Sequence, residues 1–369
     1  MNHLACTVCG ETFSLNEPRW RCTCGGPLDI SWQPEFDLGR IVRRKPTMWR
    51  YREAIPIEGE DIVSFDEGFT PLLRVELEGA SVWIKQDHLF PSGSYKDRGA
   101  AALVSKVVEL GVARVVEDSS GNAGAAIAAY CARAGVACAI YVPEATSPAK
   151  LAQIEGYGAD VYRIPGTRED TARAAFEAAQ TTYYASHSWN PFFFHGTKTF
   201  AYEVCEQLGW RAPDVVVLPV GNGTLLLGAA IGFRELCDAG VTARLPRLVG
   251  VQAERCAPLF RAWREGRDAL EPVQEGDTIA EGIAIADPIR GRQLIAVVRE
   301  SGGEFLVVAE AEIKASLHAM WRMGFYIEPT SAATIAGLHQ YLRRLDRDEV
   351  IVSTFTGHGL KAARKVKVS

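Results

Sequence analysis

The stretch VVVLPVGNGTLLLGAA, residues 215–230, decides the fold. Val215–Val220 is apolar and rich in β-branched residues, and it is too short for a helix. Gly221-Asn222-Gly223-Thr224 then turns the chain into an apolar run with helical spacing. A strand with no polar alternation is buried on both faces, which is the habit of parallel sheets. Glycines let backbone N–H groups approach an anion, and the start of a helix adds its positive end. The loop matches neither the Walker pattern nor GxGxxG, so it predicts a phosphate cradle of another kind.

The same alternation extends in both directions. SVWIKQD, ARVVED, ACAIYV, ADVYRI, YYASHS, RLVGVQA, EFLVVA and EVIVSTF read as further strands. AALVSKVVEL, NAGAAIAAYCARAG, TARAAFEAAQ, KTFAYEVCEQLG and AEIKASLHAMWRMG read as helices between them. This predicts an α/β chain with two mostly parallel twisted sheets, helices on both faces. Four segments are expected: a cysteine ribbon over 1–30, an arm over 31–80 that joins the large domain, a smaller α/β domain over 81–195, and a large α/β domain over 196–369. Ligands in such sheets sit beyond the carboxyl ends of strands, so the loops after the strands are where chemistry is expected.

Three more loops qualify. FPSGSYKDRGA, residues 90–100, puts Lys96 where a glycine turn becomes a helix. The helix dipole and Arg98 favour its free amine, which can condense with an aldehyde. EDSSGNAGAAIAAY, residues 117–130, offers Ser119, Ser120 and backbone N–H groups to a carboxylate, with Asn122 beside them. VSTFTGHGLKAA, residues 352–363, presents the Thr356 hydroxyl in a turn flanked by glycine. An amine for an aldehyde, a phosphate cradle, an amide for a ring oxygen and a hydroxyl for a ring nitrogen together describe pyridoxal phosphate.

In order and spacing these four loops, with GVQAERCAP at 250–258 and EPTSAAT at 328–334, resemble the threonine synthase family. That family lies in the tryptophan-synthase-β-like group of pyridoxal-phosphate enzymes, fold type II. The resemblance runs from about Phe65 to Lys361. It implies that Lys96 carries the cofactor and shuttles the substrate's α-proton, and that Asn122 bonds the cofactor's phenolic oxygen. It implies that Gly221, Asn222, Gly223 and Thr224 hold the phosphate and that Thr356 faces the ring nitrogen. Ser119 and Ser120, with Ser92, would grip the substrate carboxylate. A hydroxyl at the ring nitrogen goes with elimination or replacement at the β or γ carbon. A homodimer is also implied.

One segment departs from the pattern. Where threonine synthases read NSxNPxRxxGQKT, this chain reads HSWNPFFFHGTKT, residues 187–199. Ser188 and Asn190 match among the expected substrate-binding residues. His187 stands for the asparagine, and Phe193 stands for the arginine that holds the substrate phosphate. A lost charge-assisted contact costs about 2–5 kcal/mol. This predicts a substrate other than O-phosphohomoserine. It opens three alternatives to threonine synthesis: a threonine/serine dehydratase, an amino-acid ammonia-lyase or a β-replacement synthase. His187 and His195 are candidate acid–base groups.

The N-terminal CTVCGETFSLNEPRWRCTCGGPL holds Cys6, Cys9, Cys22 and Cys24 as Cys-x2-Cys, twelve residues, then Cys-x-Cys. Four thiolates on two turns suit a structural zinc; a metal-free ribbon is the alternative. The other five cysteines read as small buried hydrophobes.

A net charge of −5 with no basic run argues against a nucleic-acid partner. No apolar run approaches a membrane span, and the first residues lack the form of a secretory signal, so a cytoplasmic enzyme is expected. A non-catalytic binding module built on the ribbon is the competing class, and a colourless protein without cofactor absorbance would favour it.

Overall fold

A computed structural model describes residues 2–146, 148–271, 273, 276–345 and 348–362. The chain divides into two compact units. Unit 1 comprises 1–68 and 96–197, and unit 2 comprises 69–95 and 198–369. Elements are numbered along the chain.

Unit 1 holds a four-stranded parallel sheet of β6 (Arg114–Glu117), β7 (Ala137–Pro143), β8 (Asp160–Ile164) and β9 (Tyr183–Tyr184), in the order β8-β7-β6-β9. Its helices are α2 (Lys96–Glu109), α3 (Asn122–Ala134), α4 (Pro148–Gly156), α5 (Arg168–Ala178) and α6 (Pro191–Thr197). The small residues of α2 and α3 lie in the core, with Ala100–Val104 and Ala125–Cys131 all buried. Gly135 stops α3 at φ 68°, the left-handed conformation that a glycine takes without a Cβ penalty. A small antiparallel sheet, β1 (His3–Cys6), β2 (Thr12–Phe13) and β3 (Leu28–Ser31), ordered β2-β1-β3, forms the ribbon.

The arm differs from expectation. Residues 31–68 belong to unit 1 and include a short helix α1 (Leu38–Arg43). Met48, Trp49, Ile55 and Ile57 join the core that α2 builds with its alanines. The Glu109 carboxylate on α2 accepts the N–H groups of Glu58 and Gly59 at 2.8 Å. Apolar burial against α2 decides where the arm goes.

Unit 2 holds six strands: β4 (Leu72–Leu77), β5 (Ala80–Lys85), β10 (Val215–Pro219), β11 (Arg247–Ala253), β12 (Glu304–Val308) and β13 (Ile351–Thr354), in the order β12-β11-β10-β13-β5-β4. All pairings are parallel except β4 with β5. The helices are α7 (Thr199–Gln207), α8 (Thr224–Asp238), α9 (Pro258–Arg264), α10 (Gly291–Glu300), α11 (Glu310–Arg322) and α12 (Pro329–Leu342). Val215–Leu218 are fully buried, as an uninterrupted apolar strand requires.

The boundary expected at residue 81 falls elsewhere. β5 pairs Trp83, Ile84 and Lys85 with Val352, Ser353 and Thr354 of β13, so it extends the sheet of unit 2. Lys85 is buried there because Glu203 Oε2 lies 2.7 Å from its Nζ. β4 was not anticipated. It is an edge strand whose exposed Arg74 and Glu76 disguise it, as charges on an edge commonly do.

In each unit the direction of sheet growth reverses at one strand. β6 has β7 on one side and the later β9 on the other; β10 has β11 on one side and the later β13 on the other. The loops after these four strands carry residues 118–122, 185–190, 220–224 and 355–358. Such reversals are the expected ligand positions of doubly wound sheets.

Candidate active site

In unit 2, β10 ends in the glycine turn, and Gly223 at φ 73° serves as N-cap of α8 with no side-chain cap. The first N–H groups of this 15-residue helix therefore lack the side-chain acceptor that usually closes a helix start. Side chains are shut out of the turn. A Cβ on Gly221 would lie 2.9 Å from Ile283 Cα, and one on Gly223 would lie 2.2 Å from Leu294 Cδ2. Thr224 Oγ1 is 2.8 Å from the Tyr95 hydroxyl. Backbone donors, a hydroxyl and the positive helix end fit a phosphate.

The neighbouring loop follows β13. Thr356 is 1 % exposed, and its Oγ1 donates to Glu328 Oε1 at 3.1 Å. Ser331 Oγ accepts the Thr356 N–H at 2.8 Å and lies 3.1 Å from Thr356 Oγ1. Ser331 and Glu328 come from α12 and the residue before it, inside EPTSAAT. Sequence reasoning did not assign them; their signal was a polar pair within a segment already noted. Tyr95 donates its N–H to the Thr356 carbonyl at 2.9 Å, and Lys361 Nζ donates to the Ser92 carbonyl at 2.8 Å. The turn before Lys96 is thus fixed to the Thr356 loop. The Ser92 side chain is buried, at 2 % exposure.

In unit 1, Lys96 is the first residue of α2 and is half-buried. Its Nζ lies 5.6 Å from the centroid of the Phe193 ring. Beyond β6, Ser119 Oγ accepts the Gly121 N–H at 3.3 Å, and Gly121 begins α3 without a side-chain cap. A Cβ on Gly124 would lie 1.8 Å from the Ser119 carbonyl oxygen, so only glycine lets the loop fold back on its helix. Ser119, Ser120 and Asn122 are all half-buried. This bare helix start suits a carboxylate. The helix α5 of the same sheet is different: Thr167 and Asp170 close it with a reciprocal capping box.

The departing segment, 187–199, follows β9. Because β6 and β9 are parallel neighbours, with Val116 opposite Tyr184, their carboxyl ends bring Glu117 and His187 together. Glu117 Oε1 lies 2.7 Å from His187 Nδ1. Glu117 is fully buried, which holds its carboxyl well above the usual range; Asp118 pushes the same way and Lys96 opposes them. Glu117 was missed from sequence, although an acid ending an apolar strand was the available signal.

Phe193 is also fully buried. It lies against Gly99 so closely that a Cβ there would be 2.3 Å from Phe193 Cε1. Lys198 cannot stand in for a lost arginine, since it is buried with Nζ 2.8 Å from Glu235 Oε1. Asn190 is occupied within its own loop. Its Nδ2 donates to the Tyr183 hydroxyl at 2.8 Å and its Oδ1 accepts the Phe192 N–H at 3.2 Å. These bonds make Asn190 a staple of its own loop. Ser188 is buried beside it, and His195 is buried within α6.

The sulfurs of Cys6, Cys9, Cys22 and Cys24 all lie within 4.8 Å of one another, so this cluster could hold a metal ion. Burial pushes the Cys6 thiol up, but N–H groups of Cys9 and Val8 outweigh it and bring it down to about 6. The ribbon's Trp20 meets Phe176, Tyr184 and Trp189 edge to face, with centroids 5.1, 5.0 and 5.7 Å away. Trp189 lies in the departing segment, so the ribbon buttresses that loop.

Residues 63–357 match the family of pyridoxal-phosphate dependent enzymes. The threonine synthase of Methanocaldococcus jannaschii is 37% identical over 96% of this chain and 92% of its own length. That of Mycobacterium bovis is 36% identical over 84% and 87%. Among solved structures, serine racemase from Dictyostelium discoideum superposes with a TM-score of 0.68 at 25% identity, covering 88% of this chain and all of that one. Threonine deaminase isoform 2 from Solanum lycopersicum gives 0.70 at 23%, covering 88% and 86%, a likeness of fold. With this much of its length accounted for, the chain belongs to the pyridoxal-phosphate dependent enzymes and, among them, to the threonine synthase family.

Proposed function

We propose that this enzyme works on an amino acid whose leaving end is not a phosphate ester. Like its family, it is a pyridoxal-phosphate-dependent lyase or transferase acting by elimination or replacement at the β or γ carbon. The cofactor supplies an aldehyde to hold the amino group and a ring to accept electrons from the α-carbon. Lys96 holds the cofactor and moves the α-proton. Gly221, Asn222, Gly223 and Thr224 hold its phosphate on the bare start of α8. Thr356, backed by Ser331 and Glu328, meets its ring nitrogen, and Asn122 its phenolic oxygen. Ser119 and Ser120, with Ser92, receive the substrate carboxylate.

The observation that carries the reading of the leaving end is Phe193. Phe193, a buried ring, stands where the resemblance expects the phosphate-holding arginine, and Lys198 is paired with Glu235. Phosphate would meet an apolar surface there, and an unpaired buried anion is strongly disfavoured. The test is a panel of amino acids given to the cofactor-loaded enzyme, with phosphate, ammonia and keto acid followed in parallel. Turnover of a non-phosphorylated amino acid is expected. Efficient phosphate release from O-phosphohomoserine would refute the reading.

The four ribbon cysteines hold zinc in a closed structural site, a chemistry at home in the reducing cytoplasm when the thiols are kept from pairing. Metal analysis of the purified protein tests this, with one zinc per chain expected. The homodimer implied by the family is tested by sedimentation.

A further inference from the structure

His187 and Glu117 lie at the carboxyl ends of adjacent parallel strands, where ligands of such sheets collect. Their contact, 2.7 Å between Nδ1 and Oε1, fixes the orientation of the imidazole. Glu117 Oε2 is buried and has no hydrogen-bond partner among the described residues. A half-satisfied carboxylate is costly to keep in a core, and such groups collect at working sites. The titratable groups that face it are Asp118, Lys96, Cys138 and His187 itself. The Phe193 ring connects the pair to the reactive lysine: its centroid is 6.0 Å from the His187 ring and 5.6 Å from Lys96 Nζ. An acid–base pair thus accompanies the loss of the cation.

The chemistry of leaving groups gives that exchange a meaning. Phosphate departs as a stable anion and needs a positive clamp. A hydroxyl departs readily only when a proton reaches its oxygen as the bond breaks. We propose that His187 is the acid–base residue at the leaving end, that Glu117 is its positioning residue, and that the substrate is a β-hydroxy amino acid that loses water. The proposal rests on the reading of this chain as a pyridoxal-phosphate elimination enzyme. In the step, Lys96 takes the α-proton, and the bond from the β-carbon to oxygen breaks with its electron pair on oxygen. The imidazolium of His187 gives that oxygen a proton from Nε2, and water leaves. Addition of one water at the carbon–nitrogen bond then yields a 2-oxo acid and ammonia. Neutral His187 recovers its proton from solvent.

The experiment compares the cofactor-loaded wild type with His187→Asn and Glu117→Gln on two substrates. L-Serine must lose hydroxyl; β-chloro-L-alanine loses chloride without a proton. Both variants are expected to fall about 10²-fold or more on serine and to stay within about threefold on the chloride. A second reading uses the protein without cofactor. Nitrogen NMR of the histidines is expected to show the Nδ1 resonance of His187 shifted, and its ring no longer held in one tautomer, in Glu117→Gln, because the 2.7 Å contact with Oε1 is what fixes it. Equal losses on both substrates, no loss on either, or an unchanged His187 Nδ1 signal would overturn the dyad. A wild type that binds cofactor and turns over the chloride but not serine or threonine overturns the dyad alone. A wild type that binds no cofactor and turns over neither substrate overturns the elimination reading as well.

Discussion

The two units use the same construction for different ends. Each has a parallel sheet that reverses its growth at one strand, and each places an uncapped helix start in the loop after that strand. In unit 2 the loops after β10 and β13, with the EPTSAAT segment, follow the expected pattern: the glycine turn, Thr356 and its support from Ser331 and Glu328. In unit 1 the loop after β6 carries SSGN, whereas the loop after β9 carries His187 and Phe193 where the resemblance expects an asparagine and an arginine. On the proposed function, the loops of unit 2 take the cofactor, whose chemistry is common to the family. On the same proposal the loop after β9 meets the variable end of the substrate, and that is where chemistry would change.

The largest expected effect is at the lysine proposed to carry the cofactor. Lys96→Ala is expected to abolish the visible absorbance of the bound cofactor and all turnover, as spectra and single-turnover assays would show. A retained chromophore would move the attachment elsewhere.

Two glycine substitutions then distinguish the sheets. Gly223→Ala adds a Cβ at φ 73° that meets Leu294 at 2.2 Å, so cofactor affinity should fall by about 10-fold or more, read by titrating the cofactor. Gly124→Ala pushes on the Ser119 carbonyl, at 1.8 Å, so KM for the amino acid should rise by a similar factor with cofactor affinity nearly unchanged. If both variants lost cofactor equally, the division of labour would be wrong.

A subtler effect concerns pH. The Glu117 carboxyl is held above its ordinary value of 4.5, so the folded state keeps that proton when the unfolded chain has released it. Stability is therefore lost as pH rises from about 4.5 toward the folded-state value, by at most about 1.4 kcal/mol per pH unit for one proton. Glu117→Gln should remove this slope, and denaturant midpoints measured from pH 5 to 8 would show it. Identical slopes would mean that Glu117 is ionised in both states.

The smallest effect on chemistry is expected at the ribbon. Four thiolates leave no open position on a metal, so chelation should lower Tm by a few degrees and leave kcat within about twofold. A large loss of kcat would give the ribbon a direct part in turnover.

Much of this was legible in the residues. Uninterrupted apolar strands such as Val215–Leu218 announce parallel sheets, and glycine turns after them announce ligand loops, because both depend on local backbone chemistry. The ownership of β5 and of the arm was not legible, since pairing with β13 and burial against α2 are long-range choices. For the same reason the part Asn190 plays within its own loop was not legible. Nothing local shows that Tyr183 and the Phe192 N–H take up its amide. Glu117 was hidden because its partner is seventy positions away and meets it only through the β6–β9 register.

The indole of Trp20 against that of Trp189 has a practical use. Two such chromophores in edge-to-face contact couple their electronic transitions, so far-ultraviolet circular dichroism carries a couplet that neither gives alone. Its amplitude registers, with no label attached, whether the ribbon is seated beneath the loop that begins at His187.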